Sequence, residues 1–175
     1  MKVSELQSII EDKNIDFSFF YSSGSVPNPN VVYFSGYRGT GALVIPRKQK
    51  PFLIAPQMEF ERAKKSMVNK VHLMEKKRFF ESVQEIIAKS GIRAKNIGID
   101  KSSFTLSAYS NFKKQFKKIR AKDIGIKCLK LREIKTDEEI KILKKSCYYA
   151  DKILQNLIKN FKDFRKESEA AAFLE

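Results

Sequence analysis

The chain carries one histidine, His72, and only two cysteines, Cys128 and Cys147. The cysteines form no C-x-x-C pair, and one histidine cannot complete a zinc set, which excludes the usual Cys/His structural zinc site. With so few thiols, a reducing, cytoplasmic setting is the expectation. No window approaches the roughly 18 consecutive apolar residues of a membrane helix. The first residues, MKVSELQSIIEDKN, contain acids and lack the apolar core of a signal peptide. Glycine is scarce, at seven residues. There is no G-K-[ST] phosphate loop. Gly36, Gly39 and Gly41 run G-x-x-G-x-G ahead of a strand, the reverse of a dinucleotide fingerprint, which precedes a helix. Acids are outnumbered as well, 20 against 35 Lys and Arg, for a formal net charge of +15.

The 175 residues suit one ordinary domain with a short extra segment. A chain of this size buries roughly 70% of the surface its unfolded form exposes, so it needs no disulfide or metal staple. Apolar residues make up 42% and charged residues 31%, the balance of a globular protein. The positive excess favours polyanionic partners, and residues 111–135 concentrate it, with ten Lys or Arg against Asp123 and Glu133. Abundant Lys, Glu and Ile also accompany heat adaptation, where surface charge is plentiful.

Along the chain, Ser4 with Gln7 reads as a capping box opening a first helix, with Leu6, Ile9 and Ile10 on its apolar face. DFSFFY at 16–21 reads as a buried strand, and SSGSVPNPN at 22–30 as a loop rich in breakers. NVVYFSGYRGTGALVI at 30–45 reads as a glycine-hinged loop entering the strand GALVIP. A hairpin through RKQK leads to the strand PFLIAP. QMEFERAKKSM is a helix, NKVHLM a strand, and RFFESVQEIIAKSG a helix closed by Gly91. NIGID, SFTLSAYSNFKKQF and DIGIKCL read as strand, helix and strand. This alternation predicts an α/β protein, a three-layer sandwich with a mixed β-sheet flanked by helices. The hairpin rules out a purely parallel sheet. After Leu131 the texture changes. Thr136 with Glu139 forms a capping box, and Ile140, Leu143, Cys147, Ala150, Leu154 and Leu157 make a continuous apolar stripe. After the polar KDFRKES a new helix begins, with Ser168 as its expected cap.

No complete active site emerges. His72 lies in a strand between Val71 and Leu73, the setting of a surface or hydrogen-bonded histidine. Ser102 and Ser103 follow Asp100 and fit helix capping. Asp137, Glu138 and Glu139 occupy a first helical turn, where acids complement the helix dipole better than they ligate metal. Nowhere does a base adjoin a nucleophile with an orienting partner. The catalytic residues and metal ligands expected of this chain are therefore none.

Four segments then fall into one pattern: NVVYFSGYRGTGALVI, PFLIAPQMEFERAKK, IGID and LREIKTDEEIKILKKSCYYADKIL. In order and spacing they resemble the N-terminal half of creatinase/prolidase-type peptidases, the Xaa-Pro dipeptidases (prolidases) and Xaa-Pro aminopeptidases. Tyr33-Phe34-Ser35-Gly36 and Leu131-Arg132-x-Ile134-Lys135-Thr136-x-x-Glu139-Ile140 are the most specific parts. The resemblance implies a creatinase/prolidase N-terminal domain over residues 1–131. It makes 132–175 the linker and first helices of a truncated pita-bread catalytic domain. It implies two divalent metal ions of the manganese or cobalt type in a complete parent enzyme and no cofactor in this chain, which would itself be inactive. It also implies a homodimer, a proline-containing peptide substrate and no membrane. In that family the loop after the Y-F-S-G element approaches the partner subunit's active site. By position, Tyr37 and Arg38 are the substrate-contact candidates, projecting outward from the glycine hinges. The alternative is a catalytically inert, peptidase-like module that binds a polyanion or a protein partner; nucleic acid is possible on charge but is not the favoured partner.

Overall fold

The computed structural model describes residues 2–23, 27–75 and 78–174. They fall into two compact units, residues 1–133 and residues 134–175.

The first unit is built on a six-stranded sheet of order β4-β3-β2-β1-β5-β6. Its strands are β1 (Phe17–Ser23), β2 (Thr40–Pro46), β3 (Phe52–Pro56), β4 (Lys70–Met74), β5 (Asn96–Ile99) and β6 (Arg120–Asp123). Only β2 runs against the others. It pairs antiparallel with β1, from Phe17↔Pro46 to Ser23↔Thr40, and with β3 through Ala42↔Ile54. The β1–β5, β3–β4 and β5–β6 pairs are parallel. The sheet is therefore mixed, as the hairpin required.

Strand alternation sends side chains to two separate cores. On one face Phe20, Leu43, Ile45, Leu53 and Ala55 meet helices α1 (Lys2–Asp12), α2 (Pro29–Ser35), α3 (Phe60–Lys64) and α6 (Gly125–Glu133). On the other face Phe17, Phe19, Ala42, Val44, Phe52 and Ile54 meet α4 (Phe79–Lys89) and α5 (Leu106–Gln115). Phe19 stacks on Phe112 at 5.6 Å between ring centres, and Phe112 packs on Phe116 at 4.8 Å. Buried rings of this kind each contribute about 2–3 kcal/mol by removing apolar area from water. The result is the expected three-layer α/β sandwich.

Several local expectations are corrected. Part of the expected loop, residues 24–26, lies outside the described residues. The stretch from Pro29 to Ser35, expected as a loop, is helix α2. Asn28 caps it by accepting the Asn30 N–H, Pro29 takes the first turn, and Gly36 ends it at φ 69°. DIGIKCL is not a strand. The last strand is the preceding Arg120–Asp123, and Asp123 Oδ1 accepts the Gly125 N–H at 2.9 Å where α6 begins. Ser4 does not start α1. The helix begins at Lys2, and Gln7 instead donates from Nε2 to Pro46 O at 2.7 Å and Gln49 O at 2.8 Å, which pins α1 to the β2–β3 turn. Asp100 does cap a short 3-10 turn, Lys101–Ser103, while α5 is capped by Thr105. Gly91 ends α4 at φ 67°, as expected.

The second unit contains α7 (Asp137–Asn160) and α8 (Glu167–Leu174). The capping box is present: Thr136 N–H donates to Glu139 Oε2 at 2.7 Å, and Glu139 N–H to Thr136 Oγ1 at 3.2 Å. Ser168 is not the cap of α8. Glu169 accepts the Arg165 N–H instead, at 2.7 Å. Phe164 packs on Phe173 with ring centres 5.2 Å apart. The α7 residues Ile140, Leu143 and Leu154 are exposed. No helix among the described residues is long and apolar enough to cross a membrane.

Candidate functional site

The parallel strands end on one rim of the sheet, and antiparallel β2 begins there, since Ser23 of β1 faces Thr40 of β2. The segment Gly36–Gly39 crosses this rim between α2 and β2. Its entry is fixed by hydrogen bonds. Gly36 N–H donates to Val32 O at 2.7 Å and Met67 N–H to Ser35 O at 2.9 Å. Ser35 Oγ donates to Val31 O at 2.5 Å and accepts the Tyr37 N–H at 3.2 Å.

The two candidate side chains then part. Tyr37 was expected to project outward and does not: it is 2% exposed and packs in the core beside Phe34 and Leu43. Its hydroxyl donates to Thr40 O at 2.7 Å and approaches Glu59 Oε2 at 3.4 Å. Burial raises the phenol pKa well above its ordinary value, and the negative charge and hydrogen bond of Glu59 add to this, against a smaller opposing effect of Arg62. Arg62 pairs with Glu59 at 3.5 Å. The alternation that turns Tyr37 inward leaves Arg38 exposed. No ion pair of Arg38 exists among the described residues. Its planar fork of N–H donors is therefore open to an external carboxylate.

Gly39 makes this arrangement possible. A Cβ there would stand inside contact distance of Glu59 Oε2 and the Tyr37 hydroxyl, and 2.6 Å from Tyr37 Cζ. Behind the loop, fully buried Asn30 donates from Nδ2 to Asp100 Oδ2 at 2.7 Å. Asp100 Oδ1 accepts Ser102 N–H at 3.1 Å and Ser102 Oγ at 2.6 Å. This link ties the start of α2 to the end of β5. Sequence reading missed Asn30, Asp100, Glu59 and Arg62 as parts of the loop's support. The Asn28-Pro29 cap and the i,i+3 acid–base pair Glu59/Arg62 were the available signals.

The remaining reactive groups are elsewhere or quiet. His72 lies on the edge strand β4, edge-on to Phe52 at 5.1 Å, and burial followed by the charge of Lys70 lowers its pKa. Cys128 is on the buried face of α6; burial, then the charge of Asp100, pushes its thiol up to about 12. Cys147 is exposed in the second unit. No group of three or more His, Cys, Asp or Glu able to hold a metal occurs among the described residues, so the residues present do not fit the two-metal centre implied by the resemblance. At this rim Arg38 is exposed, beside the inward pair of Tyr37 and Glu59.

Residues 2–134 match the family model of the creatinase/prolidase N-terminal domain, and the chain belongs to that family. Among its relatives, the Xaa-Pro dipeptidase of Pyrococcus furiosus is 32% identical over 99% of this chain and 47% of its own length. The solved structure of the prolidase from Pyrococcus horikoshii superposes with a TM-score of 0.79 at 29% identity, covering 99% of this chain and 47% of that one. The N-terminal domain of an Xaa-Pro dipeptidase from Lactobacillus brevis shares the fold, with a TM-score of 0.59 at 18% identity over 73% of this chain and 98% of that domain. The chain spans about half the length of the curated relatives it matches. It is thus an N-terminal domain of the Xaa-Pro dipeptidase type.

Proposed function

We propose that this chain is the non-catalytic, N-terminal part of a metal-dependent Xaa-Pro dipeptidase or aminopeptidase, where it supports a homodimer and gates substrate at the partner subunit's active site. The observation that carries this reading is Arg38: exposed, without an ion pair among the described residues, and held on a loop whose neighbour Tyr37 is locked inward. In this reading Arg38 grips the carboxylate of a proline-containing peptide through paired N–H bonds. Tyr37 does not touch substrate. It positions Arg38 by fixing the turn between Gly36 and Gly39. Two divalent metals held by the parent's other half would polarise the scissile carbonyl and supply hydroxide. This chain's own contribution is recognition and orientation.

In the complete enzyme, Arg38→Ala removes a charge-assisted contact worth about 1.5–3 kcal/mol. KM for an X–Pro dipeptide should rise by roughly 10- to 150-fold, with kcat changed by less than about threefold. Arg38→Lys should recover only part of the loss, because an ammonium cannot make the paired contact. An unchanged KM would remove Arg38 from the site. The 175-residue chain alone, supplied with manganese or cobalt, should not hydrolyse X–Pro dipeptides, and measurable turnover would overturn the non-catalytic assignment.

A further inference from the structure

We infer that the β6 edge of the first unit binds single-stranded nucleic acid through the phosphate backbone, without reading base sequence. This goes beyond the peptidase reading and does not rest on it.

β6 is one of the two outer strands of the sheet and carries Arg120 and Lys122. Hydrogen bonds bring further cationic residues to the same edge. Arg120 N–H donates to Lys95 O at 2.9 Å, and Lys122 Nζ donates to Lys13 O at 2.6 Å. Lys117 and Lys118 lie in the turn that delivers the chain from α5 to β6. Lys13, Lys95, Lys117, Lys118, Arg120 and Lys122 are all exposed. None of the six takes part in an ion pair among the described residues. The pairs that do form there, Lys48–Glu11, Arg62–Glu59, Lys64–Glu61 and Lys89–Glu85, use other cations. Nearby carboxylates are engaged by backbone. Asp16 accepts the Lys95 and Asn96 N–H groups at 2.9 and 2.7 Å, and Asp123 accepts that of Gly125. Asp12 and Asp123 are exposed.

One or two charges suffice to keep an edge strand from pairing with another chain. Six drawn from three stretches of chain exceed that need and, set against Asp12 and Asp123, leave a strongly positive surface, the electrostatic footprint of a phosphate polymer. A second feature selects a polymer that carries bases. A cavity of about 410 Å³ adjoins the edge, with half-buried Ile92 and Ile119 in its walls over the buried Ile87 and Phe116, beside Lys117 and Lys118. An unstacked base can lie against Ile92 and Ile119 while its phosphates meet the lysines. A duplex keeps its bases stacked and has nothing to place there, and inorganic polyphosphate has no base at all.

Fluorescence anisotropy with the 175-residue chain and a labelled, mixed-sequence single-stranded 12-mer tests this, in DNA and RNA forms. With about four phosphates neutralised, log K should fall with log salt at a slope of about −3, roughly 20-fold between 0.05 and 0.15 M. Replacing Lys117, Lys118, Arg120 and Lys122 with Gln should weaken binding at least about tenfold and flatten that slope. The same change at Lys50, Lys64, Lys65 and Lys70, exposed residues away from this edge, should alter affinity less than about twofold. Equal losses in both variants would overturn the proposal in favour of diffuse charge. So would a duplex of equal length that binds as tightly, or inorganic polyphosphate that competes as well as the oligonucleotide. These last two comparisons need only the unmodified chain, so they decide the matter even if a variant fails to fold.

Discussion

Replacing Gly39 with alanine should unlock the rim loop, and the structure sets the size of the effect. The added methyl would fall 2.6 Å from Tyr37 Cζ, and inside contact distance of the Tyr37 hydroxyl and Glu59. Glu59 can swing aside, but the Tyr37 ring is 2% exposed and cannot move without disturbing the core. The bond from the Tyr37 hydroxyl to Thr40 O would then break, at a cost of about 1 kcal/mol. Overpacking adds about 1–3 kcal/mol, for a total near 3 kcal/mol. For a unit of 133 residues, about 2.1 cal/mol/K of unfolding entropy per residue turns this into a Tm drop of about 10 °C. Tyr37→Leu alone removes the hydrogen bond and part of the ring packing, at about 3 kcal/mol. In the double variant the alanine methyl occupies space the ring has left, so the two losses should fall short of additive by at least about 1 kcal/mol. Thermal melts of the four proteins by near-UV circular dichroism measure this. A Gly39→Ala melt within about 3 °C of the parent, or additivity within about 0.5 kcal/mol, would refute the reasoning.

Other consequences are equally open to measurement. Burial and the neighbouring Asp100 hold the Cys128 thiol up at about 12, so a thiol reagent at pH 8 should label Cys147 in the native chain and reach Cys128 only after denaturation. Burial and Lys70 lower the pKa of His72, so the folded state disfavours its protonation. Its contribution to stability is complete above the unfolded value of about 6.5 and is lost as pH falls through the lower folded value. Urea midpoints should therefore decline below pH 6.5, and His72→Gln should flatten that decline. Asn30→Ala takes from Asp100 the buried donor that reaches it at 2.7 Å, and should destabilise by about 1.5–3 kcal/mol in urea unfolding. A loss below about 0.5 kcal/mol would mean that Asp100 finds another donor.

The layered architecture was legible because its signals are periodic. Phe17, Phe19 and Phe20 on β1, and Ala42 to Ile45 on β2, alternate cleanly between two cores, and the β2–β3 connection carries hairpin chemistry. The errors arose where local signals conflict. Val31, Val32, Tyr33 and Phe34 favour strands, yet the Asn28 cap, Pro29 in the first turn and Gly36 in the left-handed region enclose one short helix, and packing on Phe20 decides for it. β6 reads Arg-Ala-Lys-Asp, an edge strand with almost no apolar pattern, so the neighbouring Ile-Gly-Ile drew the assignment instead. At the candidate site, the outward exposure of Arg38 was expected from its place after the Y-F-S-G element, and the structure has it exposed. The inward turn of Tyr37 was not, because it depends on the distant Glu59 and on a glycine two residues ahead.

Tyr37 and Arg38 are neighbours in the chain under opposite constraints. The first is locked by the core, whereas the second is exposed and forms no ion pair among the described residues. In the proposed reading, a change at codon 38 alters what the rim recognises while the sheet, both cores and the turn persist. A change at codon 37 or 39 alters the scaffold itself. On that same reading, ligand preference at the rim drifts one residue at a time, on a fold that imposes little stability penalty for the experiment.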